Sequence, residues 1–293
     1  MMDYPLIKQG KTRDVFDAGN GKLLFNATDR ISAFDVLLAD KIPRKGEVLN
    51  SISLYHLKVA QIYGVPTHFY AEYDKKGMFV HKLDMIPIEV IVRGYLYGSA
   101  WDRYREGSFK LPSGTKPRKG ARFFEPVVEF TTKLEAKDRP ATIKEIIGNK
   151  WATDEEVSYM IATAKKVHEI TSKGARIGRI LVADQKLEFG RSKVLENVPI
   201  LGDEVCTPDS ARLWDAALYQ ECYESGRDQP SYDKQFVRDH LLNELHWDQK
   251  RPPAGTKLAE PILSREVVAK TSQKYLDART RIIDSGSGDE DGF

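Results

Sequence analysis

Residues 179–215 read RILVADQKLEFGRSKVLENVPILGDEVCTPDSARLWD. The β-formers Ile180, Leu181 and Val182 open the stretch, and Asp184, Lys186 and Glu188 follow at every second position. Side chains alternate along a strand, so these three charges share one face and Gln185, Leu187 and Phe189 share the other. Gly190 ends the run. A second β-like segment, Val198 to Leu201, delivers Asp203 and Glu204. Two carboxylate-bearing strands joined by a short connection bring Glu188 and Asp203 together, which is one way to hold a divalent metal beside a phosphate. A solvated strand face beside an acidic turn has the same pattern.

Downstream, Asp209 or Ser210 is expected to cap a helix running to about Cys222, with Arg212 in its first turn. Ser231 to Arg238 opens another helix that places Lys234 and Arg238 four apart on one face. With Arg212 these make either a phosphate pocket or a solvated basic face. Pro252, Pro253 and Gly255 break the chain before an amphipathic helix from about Ser264 to Ile283. The tail from Ser285 is low-complexity and expected to be disordered.

Upstream, Lys11 to Phe16 and Lys22 to Ala27 flank the turn Gly19-Asn20-Gly21, the signature of a β-hairpin. Gly10 permits close backbone approach, and the alternation puts Lys11 and Arg13 on one face. That face suits a nucleotide's phosphates, although edge strands also carry lysine merely to discourage aggregation. Asp29, Arg30, Ser32 and Asp35 form a polar loop suited to a polar ligand or to capping its own turn. Asn50 to Tyr63 has a helical period. Gly77 to Val92 is extended and nearly continuously apolar, as in a strand buried on both faces, with His81 to Met85 as an inter-lobe hinge. Arg93 follows, and Ser99 is expected to cap a helix from Ala100 to Arg105; arginine fork and helix start together resemble an anion site. Residues 107–141 are loops around an extended segment, Pro126 to Lys133, and Lys133 is either a phosphate contact or a solvated lysine. Thr153 and Glu156 spell a capping box, opening a helix whose apolar stripe runs from Val157 to Thr171 and which ends near Gly174.

The 293 residues are enough for about two lobes. With 45 basic and 43 acidic side chains, the net charge of +2 provides no overall electrostatic footprint for nucleic acid. Cys206 and Cys222 have neither metal-ligand spacing nor a disulfide framework, and no window is apolar enough for a signal peptide or a membrane span. A cytoplasmic protein acting on small molecules is expected.

Taken together, several motifs in fixed order resemble the SAICAR synthetase family over nearly the whole chain. They are Gly10 to Arg13, Ser32 to Asp35, Met85 to Ser99, Val182 to Gly190, Leu201 to Glu204 and Arg212 to Asp215. One departure is Tyr97, at a position usually occupied by a small residue in that family. The resemblance implies an α+β, two-lobed fold related to ATP-grasp enzymes, with nucleotide bound between the lobes. It implies a β-rich ATP-binding lobe at 1–86, an α+β lobe at 87–250 with the metal and ribonucleotide site, a C-terminal helical extension at 251–283 and a tail at 284–293.

The reaction implied is ATP-dependent ligation of L-aspartate to the carboxylate of carboxyaminoimidazole ribonucleotide (CAIR), through an acyl phosphate, by a monomer or homodimer. Carried over position by position, Lys11, Arg13, Val15, His81, Leu83 and Met85 would contact ATP, and Glu188 and Asp203 would hold Mg²⁺. Lys133, Asp184 and Lys186 would serve the chemistry. Asp35, Arg93, Ser99, Arg212, Lys234 and Arg238 would hold the ribonucleotide. A kinase or a non-catalytic nucleotide-binding protein of related fold is the alternative. Against a kinase, the chain has no G-x-G-x-x-G loop and no HRD or DFG triplet.

Overall fold

The computed structural model describes residues 4–34, 36–133, 138–193, 195, 197–247 and 261–285. The chain begins with three antiparallel strands, β1 (Leu6–Gln9), β2 (Arg13–Gly19) and β3 (Lys22–Ala27). The expected hairpin turn is present, with Asn20 and Gly21 at φ 51° and 71°, the paired positive angles that a tight hairpin of this hand requires. Lys11 lies ahead of β2, in the turn closed by Gly10 N–H donating to the Arg13 carbonyl, so strand alternation does not put it on one face with Arg13. The hairpin of β4 (Arg30–Ala33) and β5 (Val36–Lys41) leads to α1 (Lys45–Ile62), which starts a turn earlier than its periodicity suggests. Then β6 (Phe69–Glu72) and β7 (Gly77–His81) complete a five-stranded sheet in the order β1-β2-β3-β7-β6.

The extended run after Gly77 is two strands in two sheets. The chain leaves β7 at His81 and enters β8 (Asp84–Tyr95), the central strand of a second, six-stranded sheet. This crossing coincides with the expected hinge. It is close-packed: a Cβ on Gly190 would lie 2.8 Å from Leu83 Cβ and 3.0 Å from the Asp84 carbonyl oxygen, so only glycine lets the connection cross here. After α2 (Ser99–Arg105), β9 (Arg122–Thr132) and β10 (Pro140–Ala141) extend one edge of the sheet. Helices α3 (Ile143–Gly148) and α4 (Asp154–Ile177) follow, then β11 (Ile180–Arg191), which pairs antiparallel with β8. The far edge of β11 is shared by β12 (Ile200–Gly202) at one end and β13 (Ala211–Asp215) at the other.

Here the helix expected over 210–222 is overturned. Arg212, Leu213 and Trp214 are in β13, and the helix α5 (Tyr219–Ser225) comes later. Pairing with β11 and a bond from Leu213 N–H to Asp233 Oδ2 at 2.8 Å outweigh the local helical spacing. Two further helices complete the described chain, α6 (Gln235–Asn243) and α7 (Arg265–Arg279), the latter running into a wider final turn at Thr280–Asp284.

Helix α4 covers one face of the large sheet, and α1 packs against the small sheet, α4 and α7. The stripe Val157, Met160, Ala164, Val167 and Thr171 is buried as its period demands; the helix runs past Gly174 to Ile177. Its start is a capping box: Thr153 Oγ1 accepts from Glu156 N–H at 3.2 Å and Glu156 Oε2 accepts from Thr153 N–H at 2.9 Å. Thr153→Ala is therefore expected to cost about 1 kcal/mol in a denaturant titration; an unchanged midpoint would remove the cap from the account of this helix. The last helix is not an appendage. Tyr275, Ala278 and Ile282 are buried in the same apolar cluster as Val90 of β8 and Leu187 of β11. The expected disordered tail beyond 285 and the break at 252–255 lie outside the described residues.

Candidate functional site

The face of β11 opposite α4 carries the site. Gln185 and Leu187 are buried on the α4 side, where the Gln185 amide nitrogen donates to Thr171 Oγ1 at 2.9 Å and lies 3.1 Å from His168 Nδ1. Asp184, Lys186 and Glu188 share the other face, as the alternation requires. In register across β8, Asp184 sits beside Arg93 and Glu188 beside Glu89. The two carboxylates of this face are enclosed, Asp184 and Glu188 each being 6% exposed, while Lys186 between them is half-buried, so the face is not a solvated one.

One end of this face opens into a cavity of about 240 Å³ beneath the small sheet. Of the residues expected around ATP, Arg13, Val15, His81, Leu83 and Met85 line it together, and Lys133, Glu188 and Asp203 close its charged end. Lys11 is not among its lining residues. Lys133 forms an ion pair with Glu188, and Arg13 donates to Asp203 Oδ1 at 2.5 Å. Asp203 reaches Arg13 from a backbone with φ 58°, the left-handed region, immediately after β12. That strand is tied to the chain leading into the small sheet, since His68 N–H donates to the Leu201 carbonyl at 2.9 Å and Leu201 N–H donates to the Pro66 carbonyl at 3.0 Å. The pairing fixes Asp203 opposite Arg13.

Burial would raise the Asp203 carboxyl pKa, but Arg13, Lys133 and Lys186 outweigh it and hold the group below the usual carboxylate range. Burial lowers Lys133, with Asp203 and Glu89 opposing. Two groups at this end were not singled out from sequence. Glu89 is buried, accepts from Lys186 Nζ at 2.6 Å and from Thr131 Oγ1 at 3.2 Å. His68 also lines the cavity; its buried Nε2 has no hydrogen-bond partner among the described residues, and burial pushes its pKa down to about 4, so it is neutral near pH 7.

The other end opens into a second cavity, of about 210 Å³, whose lining includes Arg93, Ser99, Asp184, Lys186, Arg212 and Arg238. Arg93 is held on three sides: Nε donates to Glu129 at 2.6 Å, Nη1 to Asp184 at 3.4 Å and Nη2 to Ser99 Oγ at 3.0 Å. Ser99 therefore does not cap its helix; Gly98 occupies that position without a side-chain bond. Arg212 donates to Asp184 Oδ2 at 2.7 Å. Tyr97 flanks that guanidinium, its ring centroid 5.9 Å away, while its hydroxyl donates to Asp228 at 2.8 Å. The bulky phenol is turned aside onto Trp214 instead of filling the cavity.

Lys234 stands one layer behind. Its ammonium donates to Asp209 Oδ2 and to Ser32 Oγ, each at 3.3 Å. Asp209, which lines the cavity, also accepts from Lys45 at 2.8 Å and from the Tyr275 hydroxyl at 2.6 Å. Burial, reinforced by Lys45 and Arg238, pushes Lys234 down to about 8 against the pull of Asp209. Asp35 lies outside the described residues.

Comparison with known proteins identifies the family. The family model described as SAICAR synthetase matches residues 6–254. A phosphoribosylaminoimidazole-succinocarboxamide synthase from Halorhodospira halophila is 37% identical, the match covering 95% of this chain and 94% of that protein. A structure of the Saccharomyces cerevisiae SAICAR synthase complexed with SAICAR superposes with a TM-score of 0.78 at 31% identity, covering 95% of this chain and 94% of that one. The fold is shared with a SAICAR synthetase in complex with ADP, at a TM-score of 0.70 and 24% identity over 94% of this chain and 97% of that one. The chain belongs to the SAICAR synthetase family, ATP-dependent ligases of purine biosynthesis that join L-aspartate to the carboxylate of CAIR.

Proposed function

Starting from that membership, we propose a division of labour along the charged face of β11. ATP occupies the cavity under the small sheet and CAIR the cavity beside Arg212, so that the γ-phosphate and the CAIR carboxylate meet over Lys186 and Glu188. The observation that carries this reading is the placement of the two cavities at opposite ends of one strand face, with Lys186 lining one and Glu188 the other. On this reading the small sheet, within residues 1–86, is the ATP lobe, and 87–250 supplies the ribonucleotide and the remaining phosphate contacts. The related ATP-grasp architecture, with nucleotide between two lobes, fits the crossing of the chain at His81 to Met85.

A carboxylate is a poor electrophile and needs a better leaving group before an amine can displace it. A CAIR carboxylate oxygen attacks the γ-phosphorus, the bond to ADP breaks, and an acyl phosphate forms. The L-aspartate nitrogen then attacks the acyl carbon, and phosphate leaves. Such transfer depends on in-line positioning and charge neutralisation more than on a protein nucleophile. Lys133, Lys186 and Arg13 supply fixed positive charge where the phosphoryl group moves. Asp184, shared between Arg93 and Arg212, acts as the group that aligns two guanidiniums on the ribonucleotide. Glu188 and Asp203 are hard oxygen donors at the edge of one cavity and fit Mg²⁺, with Glu89 alongside. Among the described residues no cluster of three metal-ligating side chains is assembled, a pattern suited to a cation held by one or two carboxylates and the substrate phosphates. When bound, Mg²⁺ would supply further neutralisation of the phosphate charge.

The test is phosphate release from purified protein given ATP, Mg²⁺, CAIR and L-aspartate. Release that needs both acceptors, with formation of the succinocarboxamide, is expected. Nucleotide binding without turnover, or phosphorylation of a hydroxyl acceptor, would overturn the reading.

Lys234 adds a pH dependence. In the free enzyme its charge is lost as pH rises through about 8, so kcat/KM for CAIR is expected to fall above that pH. Lys234→Met should have a lower kcat/KM and lack that limb. A limb that persists in the variant would assign the titration to another group.

A further inference from the structure

On the face of the large sheet that α4 covers, behind the catalytic face, lies a cavity of about 610 Å³ that the ligation does not use. Its walls are the start of β9, the end of β8, the start of β11 and the outer turns of α4. Gly94 lines it although Arg93, its neighbour in the chain, faces the other way into the ribonucleotide cavity; strand alternation puts the two cavities back to back. Five cationic side chains surround the space: Arg122, Lys165, Lys166, Lys173 and Arg176. Lys165 is paired with Glu125 at 3.6 Å and Lys173 with Glu169 at 2.7 Å. Arg122, Lys166 and Arg176 have no carboxylate partner among the described residues.

The rest of the lining joins apolar and aromatic side chains to His168, Ser172 and the two carboxylates Glu125 and Glu169 that pair with Lys165 and Lys173. Phe124 stands at its rim with 91% of its surface exposed. Tyr95 is buried behind it, its ring edge-on to Trp214 and Tyr219. Burial raises the pKa of the Tyr95 phenol, and Arg122 and Arg176 both oppose that shift. Ser172 Oγ, also in the lining, is buried without a hydrogen-bond partner. Three uncompensated cations, an unpartnered hydroxyl and a free aromatic face in one concavity call for a ligand with an anionic end and a flat ring.

We propose that this cavity binds a phosphorylated aromatic ligand of nucleotide size, its phosphate held by Arg122, Arg176 and Lys166 and its ring on Phe124. The volume is within the range of about 300–1,000 Å³ usual for small-molecule sites. The site is separate from the ATP cavity, with which it shares no lining residue.

AMP and inorganic phosphate serve as probes, with bound ligand per chain measured by calorimetry and equilibrium dialysis on the full chain. The double charge reversal Arg122→Glu with Arg176→Glu is expected to bind one AMP fewer per chain than the wild type, with KM for ATP and for CAIR within twofold. Inorganic phosphate should compete for that site at least tenfold more weakly than AMP binds. Equal AMP stoichiometry in the two proteins overturns the site. Phosphate binding as tightly as AMP overturns the ring contact, and with it the nucleotide class. Both arginines are exposed, so folding should be spared; if the double variant unfolds, Arg176→Ala alone must weaken AMP binding at least threefold or the assignment fails.

Discussion

Replacing Glu188 with Gln should lower the rate of phosphate release at saturating substrates by about 100-fold or more, roughly 3 kcal/mol of transition-state stabilisation. The substitution keeps the volume and leaves a carbonyl oxygen to accept from Lys133, so packing on β11 is preserved. What it removes is the negative charge beside Glu89 and Asp203. A neutral amide is a poor ligand for a hard divalent cation, and Lys133 loses the counter-charge that sets its orientation. The Mg²⁺ concentration needed for half-maximal rate should rise as well, while the thermal midpoint changes by no more than a few degrees. Turnover at the wild-type rate with unchanged Mg²⁺ dependence would take Glu188 out of the phosphate site altogether.

Gly98→Ala is the second large effect, and it acts through Arg212. Gly98 has φ 55° and ψ −135°, a backbone conformation that a side chain disfavours, and an added Cβ would lie 2.5 Å from Arg212 Nη2 and 2.7 Å from its Cζ. A guanidinium can swing away from such an intrusion. It does so only by leaving Asp184, to which it donates at 2.7 Å, and the cavity that the pair lines. The variant should show kcat/KM for CAIR lowered by about 10- to 100-fold, KM for ATP within threefold of wild type, and stability lowered by about 1–3 kcal/mol. Arg212→Ala should give the same substrate pattern, with a loss of stability that comes from leaving buried Asp184 short of a partner instead of from backbone strain. Combining the two should add little to the CAIR defect, because one displacement underlies both. A defect confined to ATP would contradict the placement of Arg212 in the ribonucleotide cavity.

The parts of this site that were legible in the sequence are those written with a local period. Asp184, Lys186 and Glu188 declare themselves by alternation over five residues, and Thr153 with Glu156 announces a helix start by spacing alone. Glu89 was not legible in that way. It sits alone in an apolar run, and its meaning comes from the residue that β11 sets beside it, a register no local pattern encodes. His68 is similar, since its place in the cavity under the small sheet depends on β12 pairing with the chain at Pro66 and His68. The segment at Arg212 misleads for the opposite reason. Asp209 and Ser210 ahead of Leu213 and Ala217 satisfy a helix locally, but Leu213 and Trp214 are both buried, and only a strand between β11 and the chain at Ser231 to Asp233 buries the two neighbours at once. Lys234 shows a further limit: spacing placed it near Arg238 without revealing that a buried carboxylate already holds it.

That carboxylate, Asp209, draws its donors from three separate elements: Lys45 in α1, Lys234 just ahead of α6 and Tyr275 in α7. The wall of the cavity beside Arg212 is therefore completed by groups from α1, from the start of α6 and from α7 together. A chain cut short just before Tyr275 would retain every strand of both sheets with Arg93, Arg212, Lys234 and Arg238, yet would leave Asp209 without its hydroxyl donor and α1 without part of its cover. Truncation there is thus expected to yield a product that keeps its sheets and loses the fitted wall of the cavity beside Arg212.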